Sequence, residues 1–156
     1  MKICFICVGQ VKKAGVGEAA SEYLKRIKRY APVEVAEVKD EPATPKTPRE
    51  EVLRSEGRRV LTKLSPGDFV VVLSDTGRQM TSSQLAKFMQ GLLNSGRKRL
   101  VFIVGGAYGL HNDVYDASDE LLSLSPMTLP HDLARLVLYE QVYRAFTILG
   151  NEPYSH

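Results

Sequence analysis

Apolar and polar positions along the chain follow two alternating rhythms. Short, almost unbroken apolar runs occupy residues 2–8 ("KICFICV"), 69–74 ("FVVVLS") and 100–104 ("LVFIV"). Runs of this length and β-branched content predict strands buried on both faces. Residues 33–38 ("VEVAEV") and 121–125 ("LLSLS") alternate strictly, as half-exposed strands do. Between these runs the period lengthens to that of a helix. Residues 17–30 place Ala20, Tyr23, Leu24 and Ile27 on one side and Lys25, Arg26, Lys28 and Arg29 on the other. A second helix is predicted from Thr47 to about Leu64, with Thr47 as N-cap, Pro48 in the first turn and Glu50 closing a capping box. A third runs to about Asn94, capped by Thr81, Ser82 or Ser83. A short one covers 111–117, opened by His111, and a long one covers 131–149. Residues 40–48, 65–68, 75–80 and 126–130 carry the prolines, glycines and small polar residues of loops.

Strands alternating with helices predict an α/β fold, a mostly parallel sheet with helices on both faces. The last helix adds a detail. Leu133, Leu136, Val137 and Tyr143 make one apolar surface, and Leu138, Val142, Ala145, Phe146 and Leu149 extend it around the cylinder. A helix apolar on two sides is either fully internal or covered on its second side by another subunit. Cys4 and Cys7 sit three apart in a strand, so their side chains point to opposite faces. This predicts two buried, reduced thiols and not a redox pair.

At 156 residues the chain fits one domain, 1–156, able to build its own core. No apolar run approaches membrane-spanning length, so a cytoplasmic protein is expected. Net charge is +3 and the isoelectric point is near 8.9, which permits a polyanionic partner without demanding one. Basic residues cluster at Lys12-Lys13, Lys25 to Arg29, Arg58-Arg59 and Arg97 to Arg99.

Candidate chemistry centres on "VFIVGGAYGLHNDV", residues 101–114, where Gly105, Gly106 and Gly109 follow a buried strand. The spacing is not that of a dinucleotide fingerprint, a Walker phosphate loop or a nucleophile elbow. The three histidines are far apart in sequence, and no metal site is expected. Three loops, 74–80, 105–111 and 125–130, follow strand ends, the edge at which open α/β sheets bind ligands. The glycines therefore make either a ligand loop or a tight turn.

Three segments together are specific. "VFIVGGAYGL", "LSLSPMTLPHDLARLVLYEQVYRA" and the terminal "EPYSH" resemble the ribosomal large-subunit RNA methyltransferase H family, pseudouridine N3-methyltransferases of the SPOUT superfamily. The resemblance covers the whole chain. It implies a SPOUT-type α/β knot with a C-terminal trefoil knot, and a homodimer with the last helix at its interface. It implies S-adenosyl-L-methionine bound against Leu73, against Gly105, Gly106 and Gly109, and against Ser123, Leu124, Ser125, Pro126, Met127 and Thr128. The implied reaction is methylation of N3 of a pseudouridine in 23S rRNA on assembled ribosomes, without a metal or a membrane. Such chemistry needs positioning more than side chains, and positioning can supply up to roughly 7–11 kcal/mol of a barrier.

His131, Arg135, Tyr154 and His156 are the candidates to orient or deprotonate the base. His131 and Asp132 can equally just open the last helix, and Arg135 can equally serve a structural ion pair. Members of the family typically end Tyr-His and a basic residue, whereas this chain ends Tyr154-Ser155-His156. A ribosome-binding protein of the same fold with impaired catalysis is the alternative that this tail leaves open.

Overall fold

The computed structural model describes residues 1–42 and 44–154. Five strands and five helices alternate: β1 (Lys2–Val8), α1 (Ala14–Ile27), β2 (Val33–Val38), α2 (Arg49–Leu61), β3 (Phe69–Gln79), α3 (Ser82–Asn94), β4 (Arg99–Val104), α4 (Asn112–Asp116), β5 (Glu120–Ser123) and α5 (His131–Leu149). The strands form one sheet in the order β2-β1-β4-β3-β5, and every pairing is parallel. Helices α1, α3 and α5 cover one face, and α2 and α4 the other. The α/β architecture expected from the sequence is present.

Period-two alternation sorts the strand side chains between the two faces. Ile3, Phe5 and Cys7 of β1 join Leu100, Phe102 and Val104 of β4 under α1, α3 and α5. Cys4, Ile6 and Val8 join Val101 and Ile103 under α2 and α4. Burying each such aliphatic or aromatic side chain contributes about 1.5–3 kcal/mol. The two thiols do diverge, one in each layer, and both are free. Burial pushes both thiols above their ordinary pKa, which keeps them protonated and unreactive.

Helix α5 lies between α1 and α3 against the sheet. Its two-sided apolar pattern is therefore met largely inside the protomer: Leu138, Val142 and Ala145 are wholly enclosed. Tyr139 packs edge-on against Phe5 with ring centroids 4.5 Å apart. The residues left open form a narrower stripe, with Leu133 exposed and Leu136 and Val137 half-buried.

Some local expectations are corrected. Thr47 does not cap α2; its hydroxyl pairs with Thr44, the helix starts at Arg49 behind Pro48, and Glu50 turns to His111 instead. The long-range partner outcompetes the local box. The helix also ends at Leu61, and α1 begins earlier than expected, at Ala14. Thr81 is the residue that caps α3, in a reciprocal box with Gln84. His111 caps α4, its Nδ1 accepting from Asp113 N–H at 3.2 Å, so its Nε2–H donates to Glu50 Oε1 at 2.9 Å.

The largest correction concerns residues 75–80. Only Ser74 to Gly77 leave the ladder. The strand returns at Arg78 and Gln79, so that Leu122 of β5 faces both Leu73 and Arg78. Gly77 makes this possible. A Cβ built there would lie 2.7 Å from the Leu121 carbonyl carbon and 2.8 Å from its oxygen. Any side chain forces β3 and β5 apart. Gly77→Ala should accordingly lower stability by about 1–3 kcal/mol, read as a lower urea midpoint; an unshifted midpoint would mean that the bulge yields freely.

Candidate active site

Parallel strands end on the same edge, and here the segments after β3, β4 and β5 converge on it. They enclose a cleft of about 810 Å³. Leu73, Ser74 and Asp75 come from the bulge of β3. Gly105, Gly106, Ala107, Tyr108 and Gly109 come from the turn after β4. Leu124, Ser125, Met127 and Thr128 come from the segment after β5, and His131 and Ala134 from the first turns of α5.

The glycine turn answers the question that its spacing raises. Gly106 and Gly109 form an antiparallel bridge, with Gly109 N–H donating to Gly106 O at 3.1 Å. Gly109 sits at φ +85°, a region that residues with a Cβ rarely enter. A Cβ on Gly105 would lie 2.9 Å from Gly109 O and from Leu110 Cγ. Gly105 and Gly109 are thus required by the turn's own closure, whereas a Cβ on Gly106 would meet Val8 of β1 at 3.0 Å. Because the turn is this tight, the cleft beside it is walled by main chain.

The segment after β5 reaches the cleft because α5 is anchored on the opposite side of the sheet. Arg135 is 2% exposed. Its Nη1 donates to Glu37 Oε1 at 2.7 Å, at the end of β2, and its Nη2 donates to the Gly9 carbonyl at 2.8 Å, just past β1. The chain must therefore cross the carboxyl ends of the central strands between residues 124 and 130.

Of the residues expected from the sequence, Leu73, Gly105, Gly106, Gly109, Leu124, Ser125, Met127, Thr128 and His131 line this one cleft. Ser123 is buried behind it, its hydroxyl donating to Ser125 O at 3.0 Å, and Pro126 does not line it. Arg135 does not reach it, its guanidinium being committed to Glu37 and Gly9. Tyr154 lies toward the far end of α5. There its hydroxyl is 3.2 Å from both Glu140 Oε1 and Tyr23 Oη, and Arg144 covers its ring at 4.8 Å. Glu140 and Arg144 pair with each other, as their i, i+4 spacing suggests. His156 lies outside the described residues. His131 Nε2 stands 2.9 Å from Asp132 Oδ1, at ion-pair distance though without hydrogen-bond geometry.

Asp75 and Tyr108 line the cleft from within the expected loops 74–80 and 105–111, whereas Arg49 and Tyr115 line it unforeseen. Arg49 arrives from α2, its Nη2 donating to Tyr108 O at 2.9 Å and its guanidinium lying 5.4 Å from the Tyr108 ring centre. No local motif foretells a contact across 59 residues.

Glu56 of α2 was missed for the same reason. It is 5% exposed, and its Oε1 accepts the Glu41 N–H at 2.9 Å. Burial, reinforced by the negative charges of Asp40 and Glu41, pushes its carboxyl above the ordinary 4.5. A folded pKa above the unfolded one costs stability as pH rises through that interval. Glu56→Gln should consequently be more stable than the parent at pH 7, with the gain shrinking as pH falls toward 4.5. Urea unfolding of both proteins at several pH values checks this; a gain independent of pH would contradict it.

A family model described as "Predicted SPOUT methyltransferase" matches residues 1–156. "Ribosomal RNA large subunit methyltransferase H" of Syntrophotalea carbinolica is 45% identical over 156 residues, spanning 100% of this chain and 99% of its own. The protein of that name from Shouchella clausii is 43% identical over 157 residues, covering 99% of each. Among solved structures, "a probable methylase family protein from Haemophilus influenzae Rd KW20" superposes with a TM-score of 0.53 at 16% identity, over 99% of this chain and 70% of that one, a likeness of fold. A full-length match of this kind, on a parallel sheet whose strand-end loops close around one cleft, places the chain in the SPOUT methyltransferase family.

Proposed function

We propose that this methyltransferase transfers a methyl group from S-adenosylmethionine to N3 of a pseudouridine in 23S rRNA, acting on assembled ribosomes as a homodimer. The observation that carries the reading is the convergence of three strand-end loops on one main-chain-walled cleft with His131 at its edge. The full-length relatives named for large-subunit rRNA methylation support it. A ribosomal substrate puts the protein in the cytoplasm, and no described helix is long and apolar enough to cross a membrane.

The cleft suits the cofactor. Leu73, Leu122 and Leu124 offer apolar surface for a flat ring, Ser125 and Thr128 offer hydroxyls, and the glycine turn offers bare backbone. The Asp75 carboxylate lines the same space and offsets a positive charge there. When bound, S-adenosylmethionine supplies a methyl group already activated by its sulfonium. The protein's own task is to hold the ring nitrogen in line with that carbon and to relieve it of its proton. His131, at the edge of the cleft, is the side chain placed to accept that proton. Asp132 Oδ1 lies 2.9 Å from its Nε2, and the first turn of α5 favours the negative charge of that carboxylate. Arg135 acts at a distance, as a positioning residue that holds this turn over the sheet. The trefoil knot belongs to the same reading, supported by the path of residues 124–130 back across the strand ends.

The exposed stripe of α5 is the surface through which we expect the dimer to form. Leu133 is 37% exposed, next to half-buried Leu136 and Val137. Leu133→Asp puts a carboxylate on that stripe without entering the core. It should yield a folded monomer by light scattering; a dimer of normal mass would move the interface elsewhere. The reading as a whole is tested by transfer of labelled methyl from S-adenosylmethionine to assembled ribosomes, with free rRNA alongside. Labelled 23S rRNA is expected from the ribosomes. Tight cofactor binding with no transfer to either would identify a ribosome-binding protein with impaired catalysis.

A further inference from the structure

Behind the glycine turn a second, smaller cavity of about 290 Å³ opens. It shares Gly106, Ala107, Tyr108 and His131 with the cofactor cleft, so the two spaces meet along one wall. Its floor carries Glu56. Only one oxygen of this buried carboxylate is used: Oε1 takes the Glu41 N–H, while Oε2 has no hydrogen-bond partner among the described residues. Oε2 lies beside the shared wall, 3.4 Å from where a Cβ on Gly106 would stand. Asp40 and Glu41 line the same cavity, and Lys12 at its rim is 3.9 Å from Asp40. A lining of this sign repels phosphate and welcomes an N–H donor. Tyr108, 41% exposed, adds an aromatic face, and Arg49 stacks on that ring.

Uridine and pseudouridine have the same size and the same imide edge. They differ at one position. Pseudouridine joins its ribose through carbon, so a ring N1–H occupies the place where uridine has C5–H. Only an acceptor held out of water can weigh that difference heavily. We propose that Glu56 Oε2 accepts the N1–H of the target pseudouridine, whose ring lies against Tyr108 in the second cavity, and that Glu56 thereby sets selectivity for pseudouridine over uridine. This rests on the substrate reading above. N3 is left free to face the side on which the cavity borders the cofactor cleft, where His131 lines both spaces. Uridine in the same place leaves a buried acceptor unpaired, which is the strongest form of discrimination available to a small pocket. The cost of burying this carboxyl, raised in pKa by its surroundings, is offset when a donor arrives.

The test compares methyl transfer to two ribosome preparations, one carrying pseudouridine and one carrying uridine at the target position. In Glu56→Gln an amide N–H2 meets the ring N–H, and the ratio of kcat/KM between the two substrates should fall by at least about tenfold. Glu56→Asp, which keeps the acceptor but shortens its reach, should retain more of the ratio, and it serves if the glutamine variant does not fold. An equal loss on both substrates, or weaker S-adenosylmethionine binding by calorimetry with the ratio preserved, would overturn the assignment and leave Glu56 a structural anchor for Glu41. The parent protein reports separately on the underlying reading. If it methylates neither preparation the substrate is wrong, and if it methylates both alike there is no selectivity for Glu56 to set.

Discussion

The buried guanidinium of Arg135 is the tie on which the site depends. It fastens the first turns of α5 to Glu37 and to the Gly9 carbonyl, beyond the ends of β2 and β1. Strand β5 is at the other edge of the sheet, next to β3. A chain that must leave β5 and enter α5 at that point has to cross the carboxyl ends of the strands between. Residues 124–130 make that crossing, and they form one wall of the cleft because they make it. An arginine suits the task, since its planar head donates to a carboxylate and a carbonyl at once. Glu37 is partly open to solvent, so the tie rests as much on its hydrogen bonds as on charge.

The opposite wall is set by closeness of backbone. Gly105, Gly106 and Gly109 shape the turn after β4, and Gly77 lets the bulged end of β3 lie against β5. In both places the absence of a Cβ serves the protein's own packing, and the ligand space is a consequence. Mechanistically this suits a reaction whose electrophile comes ready-made. The fold supplies two walls of main chain with His131 at the cleft's edge, the arrangement through which the proposed transfer would lower its barrier by placement. Glu56 is the exception, a buried carboxylate that burial and two acidic neighbours make costly. Cost of that kind concentrates where a group has work to do on a ligand.

Much of this was legible in the amino-acid order. The apolar runs of β1 and β4 demand cover on both faces, and that demand alone dictates a parallel sheet between helix layers. Cys4 and Cys7 part because strand periodicity is two. Thr81 caps α3, and His111 opens α4, because the groups they satisfy are a few residues away. Segment by segment, the loops that line the cleft could be named from their glycines and prolines, and the family from the motifs of the C-terminal half.

What remained hidden depends on residues far apart in sequence. Thr47 and Glu50 have the spacing of a capping box, yet Glu50 is taken by His111, 61 residues away. Arg135 gave two readings until the ends of β1 and β2 were placed beside it. The apolar girth of α5 gave two readings until α1 and α3 were seen to flank it. Arg49 and Glu56 carried no signal, because each owes its place to contact between α2 and the loops at the sheet's edge or before the helix. Local order determines what each segment prefers, since caps, turns and periodicities are short-range interactions. Which loops share a cavity, and which carboxylate is left buried with an oxygen to spare, is decided only when distant segments compete for the same space.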